Sequence, residues 1–281
     1  MKLIENGIFD EERAFYGEQG IVAKGVKIDG PADGESAFKE CSDVTCEDCY
    51  FNLRYPFWHD RGTKIVNCEM TPTCRAALWY SDNVEILDSK LHGIKALREC
   101  RGVNIERCDV VSAEFGWMSG DVTVKNSRAE GEYFMFRGEN LSFSELDFKG
   151  KYSFQYIKNA TFENCNLDTK DAFWHAENVT VKNSIVKGEY LAWYSKNLTL
   201  ENCKIIGTQP FCYCEGLKLI NCEMHECDLA FEKSSVEATV TTHIESIKNP
   251  SSGYIEAPSA GEIILHYETE CAIRVPILNT K

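Results

Sequence analysis

Apolar and polar positions recur along this chain with a period of 19 residues. The segments SFQYIKNATFENC (153–165), AFWHAENVTVKNS (172–184) and LAWYSKNLTLENC (191–203) align at that interval without gaps. The last residue of each segment defines a reference column that can be followed through eleven units. Eight of the ten spacings are 19 residues, and the other two are 21 and 23. A fixed period of this length indicates a repeat architecture.

Each unit carries alternating apolar residues beside one turn-forming residue. Five and three residues before the reference column stand mainly Val, Ile, Leu and Phe, as in Val179 and Val181. This alternation predicts a short strand with one buried face. Six residues before the reference column, every unit has Gly, Asn or Asp, which tolerate left-handed backbone angles. These predicted turn residues are Gly20, Asp43, Gly62, Asn83, Gly102, Asp121, Asn140, Asn159, Asn178, Asn197 and Gly216.

The unit length selects the fold. Nineteen residues are too few for a helix–turn–helix repeat, and the leucine-rich-repeat signature is absent. We therefore predict an all-β, single-domain fold, a right-handed parallel β-helix (solenoid) of about eleven coils over residues 14–228. Residues 1–13 are predicted to cap one end, and residues 229–281, where the period fades, to form a C-terminal β cap of antiparallel strands. PADGES (31–36) accounts for the 23-residue spacing and is interpreted as a loop insertion.

One column, ten residues before the reference column, holds all five tryptophans. The column before it contains no charged residue and is mostly Phe or Leu, so it is the predicted core face. Because neighbours along a strand point to opposite faces, the Trp column is predicted to point outward. It also contains Phe136 and three polar interruptions, Lys39, Arg98 and Gln155. The column that follows contains His59, Tyr80, Glu99, Arg137, Tyr156, His175 and Tyr194.

We interpret these two columns as a ligand-binding groove. Aromatic rings offer broad apolar and π contact, which suits the C–H faces of sugar rings. Two alternatives stay open: a ladder covered by the C-terminal segment or by another subunit, and a ladder that points into the core. Exposed aromatic surface of this size normally has a partner. The predicted ligand-binding residues are Trp58, Trp79, Trp117, Trp174, Trp193, Phe136, Tyr80, Tyr156 and Tyr194.

A polar cluster within this groove is the candidate catalytic centre. Arg98 and Glu99 interrupt the aromatic columns, Arg137 lies two units away, and His59 and His175 flank them. A carboxylate with Arg or His is sufficient for acid–base work on a glycosidic bond or for proton abstraction beside a uronate. An enzyme of this kind would be glycoside hydrolase- or polysaccharide lyase-like. The alternative is that these charges are simply solvated, so catalysis stays an open question.

The fourteen cysteines favour a structural role. Many fall in the reference column beside Ser and Leu, where a reduced thiol behaves as a small hydrophobe. Cys46 and Cys49 form a C-x-x-C pair without a second pair at zinc-site spacing. The denser group from Cys212 to Cys227 is the weaker alternative of a metal or redox site. No metal and no cofactor is predicted.

Charge and the N-terminus limit the partners. The formal net charge of −14 argues against a nucleic acid or an acidic membrane surface, because both require a basic face. The opening residues, MKLIENGIFDEER, lack the apolar region of a secretory signal, and no apolar stretch is long enough to span a membrane. We therefore expect a cytoplasmic protein.

Three segments resemble a known family. They are Phe15-Tyr16-Gly17-Glu18, DGPADGESAFKE (29–40) and NLRYPFWHD (52–60), which resemble an uncharacterised, mostly bacterial family of unknown function over the whole chain. More distantly, the Asn-rich coils look like the pectin-lyase-like β-helix superfamily. The first resemblance implies no function, and the second implies carbohydrate chemistry through fold analogy alone.

Two functions from different classes therefore compete. The first is a carbohydrate-binding or carbohydrate-active protein whose Trp ladder contacts an oligosaccharide or sugar conjugate. The second is a non-enzymatic scaffold whose Trp face docks a protein partner or a second subunit, giving a homo-oligomer.

Overall fold

A computed structural model describes residues 1–30 and 34–276. The first three residues of the predicted loop insertion, 31–33, and the last five residues of the predicted C-terminal cap, 277–281, lie outside the described residues. Within the described ranges the chain forms 29 β-strands and no α-helix, so no helix there is able to span a membrane. The chain divides into two compact units, residues 1–142 and 143–281. The single-domain organisation stays a prediction.

The first unit is built from parallel strands stacked one coil apart. One stack follows the order β1, β3, β5, β8, β11, β14 and β16, a second follows β2, β4, β6, β9, β12, β15 and β16, and a short third joins β7, β10 and β13. The bounds are β1 (Lys2–Glu5), β2 (Ile8–Phe9), β3 (Gln19–Lys24), β4 (Lys27–Ile28), β5 (Ser42–Glu47), β6 (Tyr50–Phe51), β7 (Phe57–Trp58), β8 (Arg61–Val66), β9 (Glu69–Met70), β10 (Leu78–Trp79), β11 (Asp82–Leu87), β12 (Lys90–Leu91), β13 (Leu97–Arg98), β14 (Arg101–Glu106), β15 (Asp109–Val111) and β16 (Gly120–Glu132).

The second unit repeats this parallel stacking. One stack follows β18, β20, β22, β24, β25, β27 and β29, a second follows β17, β19, β21, β23 and β24, and β26 pairs with β28. The bounds are β17 (Glu139–Lys151), which contains the unit boundary, β18 (Lys158–Glu163), β19 (Asn166–Lys170), β20 (Glu177–Lys182), β21 (Ile185–Lys187), β22 (Lys196–Glu201), β23 (Lys204–Ile206), β24 (Leu217–His225), β25 (Ser235–Val240), β26 (Ile244–Lys248), β27 (Ser252–Glu256), β28 (Ala260–Ile264) and β29 (Glu270–Arg274).

The predicted all-β parallel solenoid is confirmed, with about 14 turns in place of eleven coils. Residues 2–9 already form a coil, because β1 and β2 pair in parallel with β3 and β4. The prediction of antiparallel strands near the C-terminus is wrong, since β25, β27 and β29 also pair in parallel. The sequence concealed these coils because their register changes: Val236 pairs with Gly253, 17 residues on, and Gly253 pairs with Cys271, 18 residues on.

The predicted core column is buried. Phe38 and Phe57 are fully inaccessible and stack in the first unit with ring centroids 5.3 Å apart, and Phe154 and Phe173 stack at 5.4 Å in the second. Each such side chain stabilises the fold by about 1.5–3 kcal/mol through burial.

All eleven predicted turn residues have positive φ angles, which confirms the turn column. A second left-handed column lies directly before the reference column, as at Asn183 (49°) and Asn202 (52°). A third lies nine residues before it and includes His59 (62°), Tyr80 (57°) and His175 (54°). This third column breaks the period-two alternation, so the residues after the tryptophans face outward together with them.

The reference column does more than fill space. All fourteen cysteines are free and buried, as expected. In addition, the Cys165 backbone N–H donates to Ser184 Oγ at 2.9 Å, and the Cys203 thiol donates to the Val181 carbonyl at 3.4 Å. Ser and Cys can replace one another in this column because both carry a hydrogen bond from one coil to the next.

Candidate functional site

The inner row of the second unit's aromatic face is a stack of indole rings. Trp174 and Trp193 lie with ring centroids 5.3 Å apart and planes 2° from parallel, and both side chains are half-buried. Trp174 Nε1 donates to the Tyr190 carbonyl at 2.6 Å, and Trp193 Nε1 donates to the Gln209 carbonyl at 2.8 Å. Each indole is therefore held by a ring on one side and by a backbone carbonyl at its edge.

The outer row of this face is a second stack. Tyr156 and His175 lie 4.7 Å apart, His175 and Tyr194 5.0 Å, and Tyr194 and Tyr213 4.8 Å, with planes within 10° of parallel. Tyr156 is 40% exposed and Tyr194 42% exposed. Neighbouring rings therefore cover the ring faces on which the carbohydrate interpretation relied, and the exposed parts are the ring edges with their polar atoms.

The inner row of the first unit's aromatic face interleaves rings with cations. Lys39 Nζ lies 4.6 Å from the Trp58 ring centroid, and Trp58 stacks on Trp79 at 5.7 Å. The Arg98 guanidinium lies between two indoles, 5.4 Å from Trp79 and 5.2 Å from Trp117. Lys39 and Arg98, two of the polar interruptions of the Trp column, therefore stack with the indoles of the first unit and are held by cation–π attraction.

The row ends on Phe136, whose ring lies 5.2 Å from Trp117. Trp58, Trp79, Trp117 and Phe136 are all half-buried. The core alternative for the Trp column is therefore incorrect, and the outward orientation is observed in both units.

A balanced charge network surrounds Arg98. Its Nε lies 3.4 Å from Glu99 Oε1 and its NH1 atom 3.9 Å from Glu114 Oε2, while Lys95 Nζ lies 3.2 Å from the same Glu114 oxygen. Trp79 Nε1 donates to Glu99 Oε1 at 3.4 Å. Two cations and two carboxylates therefore neutralise one another between Trp79 and Trp117.

Lys95 and Glu114 were missed by sequence reasoning. Both belong to a column thirteen residues before the reference column, where other units carry Tyr55, Tyr133 or Tyr190. Both have left-handed φ angles and reach the aromatic face from its side. The signal available in the sequence was that Lys95 lies in the same coil as Arg98 and Glu99, and that Glu114 lies in the coil that follows.

Four of the five candidate catalytic residues are spread along the outer rows, whereas Arg98 belongs to the inner row of the first unit. In the first unit the outer row runs His59, Tyr80, Glu99, Met118, Arg137, so Tyr80 separates His59 from Glu99 and Met118 separates Glu99 from Arg137. The His59 ring contacts the Tyr80 ring at 4.9 Å. The Arg137 guanidinium lies 5.3 Å from the Phe136 ring.

His175 belongs to the second unit, inside its outer stack. Of the five candidates, the structure thus brings together Arg98 and Glu99, and adds Glu114.

No metal centre forms in the part of the chain that the structure describes: no group of three or more His, Cys, Asp or Glu side chains is arranged to hold an ion. Cys46 and Cys49 point into the core, and His225, from the denser C-terminal group, bonds Glu223 at 2.9 Å.

The chain belongs to the family described as Protein of unknown function (DUF3737), whose model matches residues 2–277. This confirms the resemblance seen in the sequence. No curated protein sequence matches the chain.

Several solved structures are similar to this chain. They include PfbA, a surface adhesin of Streptococcus pneumoniae (11% identity, TM-score 0.38, covering 94% of this chain and 75% of that one). The catalytic domain of a GH87 alpha-1,3-glucanase in complex with tetrasaccharides matches at 9% identity and TM-score 0.33, covering 97% and 63%. The tailspike protein of E. coli bacteriophage HK620 matches at 8% identity and TM-score 0.40, covering 91% and 62%. No residue role is carried over from them.

Proposed function

We propose that this protein binds carbohydrate along its aromatic faces without turning it over. The observation that carries the proposal is the outer row of the second unit, where Tyr156, His175 and Tyr194 stack with nearly parallel planes and expose their edges. The row repeats one phenol or imidazole edge per coil, at 4.7–5.0 Å.

Ring edges recognise sugars differently from ring faces. Each Tyr hydroxyl is both a donor and an acceptor, and the His175 imidazole offers one nitrogen of each kind. Such groups match the hydroxyls of a sugar chain that lies along the row. Because the rings brace one another, little side-chain freedom is lost on binding.

In the first unit the same kind of surface also carries the charged side chains of Arg98 and Glu99. Glu99 Oε2 has lone pairs for sugar hydroxyls, and Arg98 offers several N–H donors in a fixed plane. Hydrolysis of a glycosidic bond requires two carboxyl groups that flank it. Glu99 and Glu114 are instead engaged in ion pairs with Arg98 and Lys95, which supports ligand orientation over catalysis.

A glycan array followed by calorimetry tests the proposal. The intact protein is expected to bind at least one class of linear glycan, and Tyr194→Ala and His175→Ala are each expected to weaken that binding about tenfold. Tyr254→Ala, outside the aromatic face, is the matched control and should leave affinity unchanged. An array without binding, or affinity equal in all three variants and the parent, would overturn the proposal.

Docking of a second copy is the other candidate function. It is favoured by exposed apolar side chains on the first unit's face, where Tyr80, Met118 and Tyr133 are each 37–40% exposed. Sedimentation velocity over a range of concentrations tests it. A dimer abolished by Met118→Glu would support docking, and a monomer at the highest concentration would eliminate it.

A further inference from the structure

A groove outside the aromatic faces lies along a corner of the second unit. Its volume is about 480 Å³. One wall is formed by the side chains of Asn183, Asn202 and Asn221, which belong to the left-handed column directly before the reference column. Lys204 and Glu223 also line the groove. The groove therefore combines amide groups with charged groups and lacks aromatic rings.

The three amides form a hydrogen-bonded chain. Asn221 Nδ2 donates to Asn202 Oδ1 at 2.8 Å, and Asn202 Nδ2 donates to Asn183 Oδ1 at 3.3 Å. An amide has two N–H donors and two acceptor lone pairs. At Asn202 this chain uses one donor and one lone pair, so a second N–H and a second lone pair remain for a ligand. The chain also orients the amides before any ligand arrives.

The amide chain stops at Asn221. The next coil carries Thr241 at this corner, and its hydroxyl donates to the Cys222 carbonyl at 3.2 Å. The hydroxyl of Thr241 is therefore engaged with the backbone, and Asn221 Oδ1 ends the row as an acceptor.

Lys204 is the second unusual feature of the groove. Among residues 1–30 and 34–276, no ion pair or hydrogen bond involves its ammonium group. Its register partner is Glu223, but the Glu223 carboxylate bonds His225 Nε2 at 2.9 Å. By contrast, Lys182 and Lys187 nearby pair with Glu201 and Asp168. Lys204 thus presents an unpaired donor beside the amides.

The same column is used differently in the first unit. There Arg107 Nε bonds Asp88 Oδ1 at 2.7 Å, and Asn67 bonds Asp48. These ion pairs and charge-assisted bonds occupy the polar atoms and fix the local charge. In the second unit Asn164 still bonds the Glu145 carboxylate at 2.8 Å, and the neutral amide row is formed by Asn183, Asn202 and Asn221.

We propose that this groove is a second binding site for a neutral, hydroxyl-rich chain, an oligosaccharide segment that lies along Asn183, Asn202 and Asn221. A vicinal diol offers one donor and one acceptor to the N–H and C=O edge of an amide, and Lys204 donates to a further sugar oxygen. The ligand class rests on the proposed function, whereas the location does not involve the aromatic faces.

Side-chain amide NMR on the intact ¹⁵N-labelled protein tests the inference. The probes are cellotetraose, maltotetraose and laminaritetraose. At least one is expected to shift the side-chain NH₂ signals of Asn202 and Asn221. Asn202→Asp and Lys204→Met are each expected to weaken that binding about tenfold, because each removes donors that face the ligand.

Asn178→Asp is the matched control. Asn178 also has a left-handed φ (56°) and also stands inside an amide chain, between Asn159 and Asn197, but in the other turn column. Asp tolerates this backbone conformation. Thermal unfolding should show similar losses for Asn178→Asp and Asn202→Asp, whereas only Asn202→Asp should weaken binding.

The outcomes separate this inference from the proposed function. Binding that is weakened by Tyr194→Ala but unchanged by Asn202→Asp and Lys204→Met overturns the groove and leaves the aromatic face standing. Binding weakened by the groove variants alone supports the groove and counts against the aromatic face. If none of the three tetrasaccharides binds, the groove proposal fails, and the glycan array decides separately on the aromatic face.

Discussion

The two aromatic faces use the same columns of the repeat but hold their rings differently. In the second unit the indole N–H groups of Trp174 and Trp193 donate to backbone carbonyls sixteen residues further along the chain. In the first unit Trp79 donates to the Glu99 carboxylate, and Trp58 Nε1 is buried with no hydrogen-bond partner among the residues that the structure describes. The second unit therefore satisfies both of its indole N–H groups with backbone carbonyls, while in the first unit only Trp117 does so and Trp79 bonds a charged network.

The backbone before each tryptophan explains the difference. The residues that precede Trp117, Trp174 and Trp193 have φ angles of 72°, 58° and 61°. All three of these tryptophans donate to a carbonyl sixteen residues on. Trp58 and Trp79 instead end the short strands β7 and β10, and neither makes that bond. An indole N–H that donates to a backbone carbonyl is thus preceded by a residue with a left-handed φ angle, and Trp117 shows the same pairing in the first unit.

The largest effect is expected from a buried acid that distinguishes the two interiors. Asp60 is fully buried, where the second unit has Ser195 or Cys214. Asp60 Oδ1 accepts from the Cys41 N–H at 3.1 Å, while Oδ2 has no hydrogen-bond partner within residues 1–30 and 34–276. Burial raises the pKa of Asp60 to about 8.

The sign of the pH dependence follows from that shift. The folded-state pKa of Asp60 lies above the unfolded value of about 3.8. The contribution of Asp60 to the free energy of unfolding is therefore fully present below pH 3.8, where the carboxyl group is protonated in both states. That contribution is lost as the pH rises towards 8. Asp60→Ser should therefore increase the free energy of unfolding by about 2–4 kcal/mol at pH 8 and by much less at pH 4. Denaturant unfolding at both pH values checks this, with Asp82→Ser as the control; equal effects at both pH values would contradict the account.

A matched pair of tryptophan substitutions tests the indole bonds. Trp193→Phe removes the indole donor and leaves the Gln209 carbonyl with only the weak Cys212 thiol donor at 3.7 Å, whereas Trp58→Phe removes a donor that was already unsatisfied. Trp193→Phe should therefore cost about 1–2 kcal/mol more than Trp58→Phe. Urea unfolding measures both. Equal losses would show that the indole N–H groups do not distinguish the two faces.

Removal of the Arg98 guanidinium from between the two indoles of the first unit should have a smaller effect on stability. Arg98→Met removes a guanidinium from between two indoles and leaves Glu99 and Glu114 with one fewer cation, so we expect a loss of about 1–2 kcal/mol. Arg101→Met, which removes an exposed arginine paired with Glu139, is the control and should cost less than about 1 kcal/mol. Indistinguishable losses would mean that Arg98 is only a surface charge.

The repeat and its core could be predicted because the residue types in each column indicate its structural role. Gly, Asn and Asp mark left-handed turns, and an uncharged Phe column marks the interior. The outer row was harder to predict, because Tyr80 and Tyr194 adopt left-handed angles that their own type does not favour. Stacking between coils imposes that conformation, and only a three-dimensional structure shows that the rings cover one another. Lys95 and Glu114 were hidden for the same reason.

Tryptophan fluorescence quenching by acrylamide, with and without a bound glycan, tests the central claim most directly. All five tryptophans belong to the inner rows of the aromatic faces, so the bulk signal reports on those faces alone. The half-buried indoles should be partly quenched in the free protein, and a glycan selected on the array should reduce that quenching. Quenching that is unchanged at glycan saturation would place the ligand elsewhere and contradict carbohydrate binding on the aromatic faces.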